Sequence, residues 1–391
     1  MRIGIVLSNT PGYSDTFFTK KIRGLNASGY HVVLFVAGGR RRNFPGTRVI
    51  YGPTVSGGIL HKILISLRLV FRVIICAPIT SMRFLKLEIE SGSSWKDSFR
   101  KLIINSHILP FRLDWLHFGF ATMGVDREIV GKAIGAKVAV SFRGYDVSVY
   151  PLKHPGCYKK LWQYIDRVHT ISDDLLQEAY FYKLPQRVPV TKITPAIDAP
   201  CFLIKRAGFF NEGQISILTV ARLHWKKGLE YTMEALALLK KEGINFSYTI
   251  AGEGNDKERL IFAAYQLGLN DNITFAEKVD HADMPGLMWK NDVYIQYSIQ
   301  EGFCNSVLEA QAAGMLCIVS DAEGLSENVL DESTGWVVPK RNPSQLASKI
   351  KEVITYPQER LLYVSKSASK RVADEFNLEK QRREFVKFYS E

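Results

Sequence analysis

A pattern of short buried strands, each followed by a loop and a helix, runs through the chain, breaks off and starts again. That restart limits the possible folds more than any other feature. Residues 2–8 read as a buried strand, residues 17–28 as a helix after a loop with Pro11 and Gly12, and residues 32–37 as a second strand. Repeated β-loop-α-β units build a parallel sheet. Further strands are expected at residues 115–118, 138–142 and 167–171. Ser172 and Asp173 then look like the N-cap of a helix carrying Leu175, Leu176 and Ala179. Residues 184–213 change character: Pro185, Pro189, Pro195 and Pro200 precede Gly208 and Gly213, the composition of a closing strand and a linker. The alternation then resumes, with strands at 215–221, 246–251 and 273–276 and helices at 229–241 and 257–267. Strands at 293–298 and 316–320 flank a helix over 306–314. Residues 336–339 read as a last short strand, and 358–389 as helix with a basic face. The expectation is two Rossmann-like α/β domains, residues 1–205 and 206–370, facing across a cleft. Residues 371–391 are expected as a C-terminal helix packing back on the first domain. In such sheets ligands sit beyond the carboxyl ends of the strands.

The chain has 391 residues, 46% hydrophobic and 23% charged, which is ordinary globular composition with enough apolar residues for two cores. A net charge of +12 attracts nucleic acid, anionic lipid or anionic small molecules, without choosing among them. The five cysteines, Cys76, Cys157, Cys201, Cys304 and Cys317, are scattered and odd in number, and no Cys/His ligand spacing is present. This disfavours zinc and a disulfide framework and fits free thiols in a reducing cytoplasm. The opening MRIGIVLSNTPGY enters a Gly/Pro turn instead of a cleavage site, so it reads as a strand, not a leader. The longest apolar stretch, residues 59–79, carries His61, Lys62, Arg68 and Arg72, which argues against a membrane-spanning helix. Residues 59–104 also hold Arg83, Lys86, Lys96, Arg100 and Lys101. Two readings stand side by side: a core with a solvated basic rim, or a basic, apolar surface that lies in the interface of an anionic membrane.

Two segments carry the chemistry. In EGFCNSVLEAQAAG, residues 301–314, a strand ends, a turn with Gly302 follows and a helix starts near Asn305 or Ser306. Unpaired amides at a helix start, here Asn305, Ser306 and Val307, suit a diphosphate. Glu301 in the turn and Glu309 one turn into the helix can accept hydrogen bonds from vicinal hydroxyls. The bland alternative is two solvated glutamates beside an ordinary turn. In TVARLHWKKGLEYTMEA, residues 219–235, Arg222, Lys226 and Lys227 crowd the loop after a strand. Fixed cations there can neutralise a departing pyrophosphate, or be no more than a solvated basic loop.

The first segment resembles the Glu-x7-Glu motif of family 4 retaining glycosyltransferases of the GT-B fold, exopolysaccharide- and colanic-acid-type members in particular. The resemblance implies that Glu301 contacts hydroxyls of the donor sugar and Glu309 the ribose of its nucleotide. The second segment resembles the family's G-R-L-x-x-x-K-G signature, with Ala221 in place of Gly, and implies that Arg222 and Lys227 bind the diphosphate. YTIAGEGNDKERL resembles the family's strand and Gly-x-Gly loop, which makes Gly254 a nucleotide-pocket candidate. Lys278 and Val279 are candidate base contacts, and Glu327 matches a family glutamate with an equally good structural reading as a cap. In the N-terminal half the resemblance is patchy. SNTPGYSDTFFTKKI is similar to a family loop, with Asp15 where Glu is usual, and places Gly12 near donor phosphates. LDWLHFGFATMG puts His117 at the end of a strand as a candidate catalytic group. SFRGYDVS carries Arg143 where the family has His, with Asp146 beside it, both on the acceptor side.

What the resemblance implies is an N-terminal acceptor domain and a C-terminal donor domain. A nucleotide-sugar donor gives its sugar, with retention and without a bound metal or other cofactor, to a glycan or lipid-linked glycan acceptor. The leaving diphosphate helps deprotonate the incoming hydroxyl, and domain closure excludes water. The expected place is the cytoplasm, peripheral on the inner face of the membrane. The rivals are a GT-B-fold epimerase or phosphorylase, a non-catalytic sugar-nucleotide-binding subunit, and a nucleic-acid binder. The last lacks any RRM, KH or zinc-finger signature, so no nucleic acid partner is expected.

Overall fold

The computed structural model describes residues 1–12, 16–38, 41–210 and 213–391. Asp15, with its neighbours Tyr13 and Ser14, lies outside them. The chain forms two compact units, Met1–Ile193 with Gln381–Glu391, and Thr194–Lys380.

Among the described residues, the first unit holds the strands β1 (Arg2–Leu7), β2 (His31–Val36), β3 (Arg48–Tyr51), β4 (Trp115–Phe118), β5 (Lys137–Phe142), β6 (Arg167–Thr170) and β7 (Val190–Lys192). They pair in parallel in the order β3-β2-β1-β4-β5-β6-β7. The second unit holds β8 (Ile215–Val220), β9 (Phe246–Ala251), β10 (Ile273–Ala276), β11 (Val293–Gln296), β12 (Leu316–Ser320) and β13 (Trp336–Val338), in the order β10-β9-β8-β11-β12-β13, again parallel. This is the expected class, two Rossmann-like α/β units. In each sheet the strand order reverses at one point, between β1 and β4 and between β8 and β11. At such a reversal the loops leaving neighbouring strands run in opposite directions, the arrangement in which ligands bind beyond the carboxyl ends of the strands.

The strands were readable because parallel sheets are covered on both faces, so central strands are almost continuously apolar. From Ile3 to Leu7 and from Leu316 to Ser320 every residue is buried. Each unit has its own core: Ile5, Leu34, Phe18 and Phe385 belong to one, Ile217, Leu236, Ile250, Ile318 and Trp336 to the other.

The boundaries differ from those expected. Residues 194–205 belong to the second unit because they pack there. Trp289 donates its indole N–H to the Phe202 carbonyl at 2.8 Å, and Arg206 donates to the carbonyls of Met288, Asn291 and Ala313. The tail is two helices, Gln358–Glu375 and Leu378–Ser390, with the break at Phe376 and Asn377. Residues 371–380 stay with the second unit, where Arg371 donates to the carbonyls of Glu327 and Asn328 and Phe376 meets Phe303. The last helix buries Phe385, Phe388 and Tyr389 in the first unit, and Trp115 donates to the Tyr389 carbonyl. Strand β3 and the helices Ile59–Cys76, Pro78–Glu90 and Trp95–Asn105 were not anticipated.

Candidate active site

In the second unit the loops leaving β8 and β11, at the point where the strand order reverses, carry the two chemical segments. The β8 loop runs from Ala221 through the short turn Trp225–Lys227 to Gly228. Gly228 has φ +61°, and a Cβ there would lie 2.1 Å from the Tyr297 carbonyl oxygen. Only glycine allows the two loops to approach this closely. The Ile299 amide then donates to the Lys226 carbonyl at 2.7 Å. This zipped backbone places the Lys227 ammonium on the Glu301 carboxylate, each side chain about 15% exposed. Burial works to lower the pKa of Lys227, but the Glu301 carboxylate beside it outweighs burial and holds the ammonium above its ordinary range. Arg222 is exposed at the start of the same loop, near enough to Lys226 and Lys227 to act on both electrostatically. The site is therefore a cluster of three cations around the Glu301 carboxylate at the end of the sheet.

Glu301 is held from behind by residues the sequence did not reveal. Its amide donates to the Glu323 carboxylate at 2.7 Å, and its carbonyl accepts from the Gly324 amide at 2.9 Å. Glu323 lies in the loop after β12 at φ +23°, with Lys340 at 3.6 Å. A glutamate just before a glycine in the next strand–helix loop was the available signal. In that loop the resemblance pointed instead to Glu327, four residues further on.

The helix Asn305–Ala312 starts as expected. The amides of Asn305 and Ser306 meet no acceptor among the described residues, whereas that of Val307 faces the Cys304 thiol. Two unpaired donors thus remain from the three expected. The Ser306 hydroxyl is already engaged with Tyr294 at 2.8 Å and the Val220 carbonyl at 3.1 Å, which ties the helix start to the end of β8. Glu309 is mostly buried on this helix, with His281 Nδ1 4.0 Å from its carboxylate. His281 follows Lys278 and Val279 in the loop after β10, so that loop reaches Glu309 through a residue not singled out beforehand. Lys278 is exposed and Val279 half-buried. Gly254 has a packing reason for being glycine: a Cβ would lie 2.1 Å from the Leu223 carbonyl oxygen. Its loop thereby stays pressed against the β8 loop. Glu327 sits in the first turn of the short helix Leu325–Asn328. Among the described residues no three His, Cys, Asp or Glu side chains gather in a way that could hold a metal ion.

In the first unit the structure revises the reading of His117 as a catalytic group. It is fully buried on β4, inside a hydrogen-bond chain with one consistent direction. The Tyr389 hydroxyl donates to His117 Nδ1 (2.6 Å), and His117 Nε2–H donates to Ser141 Oγ (2.7 Å). Ser141 in turn donates to His169 Nδ1 (2.7 Å), and His169 Nε2–H donates to the Ile193 carbonyl (2.9 Å). Both ring nitrogens of His117 are used, so it fastens the last helix to the sheet and has no face left for a substrate. Asp146 is likewise buried. Its two oxygens accept the amides of Ala121 and Arg143, clamping the loops after β4 and β5, and this is a structural role. Arg143 is half-buried with its guanidinium 3.8 Å from the centre of the Phe17 ring. Gly12 is half-buried in the β1 loop, with Arg42 Nη1 3.9 Å from where a Cβ would be.

The histidine chain has a consequence for pH. Burial first, and then the positive charge of Lys21, hold both histidines well below the ordinary imidazole range. Below about pH 6.5 the unfolded chain gains protons that the native unit refuses. Stability therefore falls as pH drops through that point, by up to about 1.4 kcal/mol per pH unit for each histidine. Chemical denaturation at pH 7 and 5.5 is expected to show this loss, and His117→Gln, which keeps hydrogen-bonding capacity without titrating, to show less of it. Equal acid sensitivity in both proteins would exclude His117 as a source.

Comparison with known proteins agrees with this geometry. Residues 203–371 match the family described as glycosyl transferases group 1. The protein of Escherichia coli (strain K12) named as the colanic acid biosynthesis glycosyltransferase WcaL is 26% identical over 314 residues, 75% of each chain. The amylovoran biosynthesis glycosyltransferase AmsK of Erwinia amylovora is 26% identical over 257 residues, 63% of this chain and 62% of that one. Among solved structures, Anabaena Alr3699/HepE in complex with UDP-glucose superposes with a TM-score of 0.72 at 13% identity, covering 100% of this chain and 99% of that one. The cation–carboxylate cluster lies inside the matched segment: residues 203–371 form a glycosyl transferases group 1 domain, and the chain as a whole has the GT-B fold.

Proposed function

We propose that the protein is a retaining, family 4-type enzyme that moves a sugar from a nucleotide-sugar donor to a glycan or lipid-linked glycan during surface polysaccharide synthesis. The observation that carries this reading is the half-buried Lys227–Glu301 pair beside the unpaired amides of Asn305 and Ser306. Cations and helix-start amides suit the diphosphate, and a carboxylate suits sugar hydroxyls. In the reaction the bond from the anomeric carbon to the diphosphate oxygen breaks, and its electron pair leaves with the diphosphate. The acceptor hydroxyl oxygen bonds the same carbon from the same face, and its proton passes to the leaving diphosphate. Arg222 and Lys227 meet the charge that grows on the leaving group, so a divalent ion is not needed and a chelator is expected to leave turnover unchanged. Glu309 holds the ribose. The relatives named for colanic acid and amylovoran synthesis favour a surface polysaccharide as product. The UDP-glucose complex of a protein with this fold favours a nucleoside diphosphate sugar as donor.

Among the described residues no single helix is long and apolar enough to cross a membrane. The enzyme is proposed to work in the cytoplasm, peripherally on the inner membrane face, where a lipid-linked acceptor would be presented. A panel of nucleotide sugars tests the reading by thermal stabilisation and by hydrolysis. At least one is expected to stabilise the protein and be turned over, and NMR of the product is expected to show the anomeric configuration of the donor. An inverted product, or no turnover of any donor, overturns it.

A further inference from the structure

We infer that the helices Ile59–Cys76 and Pro78–Glu90 form a wedge that lies flat in the interface of an anionic membrane. This deepens the peripheral-membrane part of the reading above and rests on it. The first helix is built with its apolar side outward. By helical spacing Leu60, Leu64, Leu67, Phe71 and Ile75 share one stripe, and every one of them is exposed, Leu60 at 84% and Phe71 at 69%. The opposite side, with Val73 buried, faces the protein. Past the bend Ile79 and Met82 are also exposed, at 82% and 71%. Scattered surface hydrophobics need no explanation, but a continuous stripe of this length does.

Charge selects the occupant. Arg68 and Arg72 flank the stripe, four residues apart and exposed, and Arg83 and Lys86 are exposed on the second helix. From residue 16 to residue 87 the chain contains no Asp or Glu and twelve Lys or Arg. A second protein copy would meet this surface with like charge. A bilayer rich in acidic phosphates offers apolar depth beneath and opposite charge at the rim. Neither helix alone is long and apolar enough to cross a membrane, the two bend by 115°, and the first carries Lys62, Arg68 and Arg72 along its length, which suits a pair lying in the plane of the interface. It is also firmly mounted. Glu88, fully buried at the end of the second helix, accepts from Lys101 at 3.2 Å and Lys160 at 2.8 Å, and Lys101 lies 3.7 Å from Glu128. Lipid binding would thus hold the whole first unit at the membrane.

The test is co-sedimentation of the full chain with phosphatidylglycerol-containing vesicles and with pure phosphatidylcholine vesicles. Binding is expected only to the former and to fall as salt rises. Arg68→Gln and Arg72→Gln are each expected to weaken it about fivefold. Leu67→Glu with Phe71→Glu is expected to abolish it while leaving the thermal midpoint unchanged, because both side chains are exposed. Wild-type protein that stays in the supernatant with anionic vesicles at low salt overturns the proposal. So does a lipid-free dimer that Phe71→Glu dissolves, since a second copy would then own the stripe. Binding of a nucleoside diphosphate by the same samples separates the two readings. Vesicle binding without nucleotide binding keeps the wedge and overturns sugar transfer, and the reverse keeps sugar transfer and overturns the wedge.

Discussion

Replacing Lys227 by alanine is expected to lower turnover by roughly a hundred- to a thousandfold, the range found when one preorganised donor to a developing negative charge is removed. Donor binding is expected to weaken far less. The ammonium is held charged by Glu301 in a site mostly shut off from solvent, so its effect on a leaving diphosphate is little screened. Breaking a buried pair also leaves the partner charge uncompensated, so Lys227→Ala should lose some stability as well. Arg222→Ala provides the cleaner comparison, because Arg222 is exposed and its loss should not disturb folding. Steady-state kinetics over a range of donor concentrations, with thermal unfolding of the same samples, separates the effects. Turnover within twofold of the parent in both variants would remove these cations from the mechanism.

Glu309→Ala is expected to weaken binding of a free nucleoside diphosphate by roughly tenfold to more than a hundredfold. Hydrogen bonds to a charged group are worth about 1.5–3 kcal/mol, and a mostly buried carboxylate has little competing water. Glu301→Ala is expected to leave that binding almost intact and to impair transfer, since Glu301 is assigned to the sugar and not to the nucleotide. Calorimetry with the nucleoside diphosphate alone reads the difference directly. Unchanged affinity in Glu309→Ala would show that the two glutamates have been given the wrong roles.

The elements that position these residues were legible because they repeat a local rule. Central strands covered on both faces are mostly apolar, which is why residues 246–251 and 316–320 were read with the bounds observed. Where the local rule failed, burial was the reason. Strand β3 lies at the sheet edge and is only half-buried, so Arg48–Tyr51 carries no strong pattern. The helix Ile59–Cys76 turns its apolar residues outward, which defeats any reading that assigns apolar residues to a core.

Sequence alone determined the two parallel α/β units, the loops that bear Arg222, Lys227, Glu301 and Glu309, and the helix start beside them. Spacing along a chain specifies which strand, turn and helix follow one another, and here the chemistry sits at those junctions. Only the tertiary structure decided which polar residues had a surface to work on. His117 and Asp146 share their motifs with catalytic candidates, but packing of the last helix encloses the first, and the amides of Ala121 and Arg143 occupy the second. The structure likewise brought Glu323 to the amide of Glu301 and His281 to Glu309, pairs 22 and 28 residues apart in the chain. Such contacts depend on which strands lie side by side, and neighbours in a parallel sheet are set by crossovers that leave no local trace in the sequence.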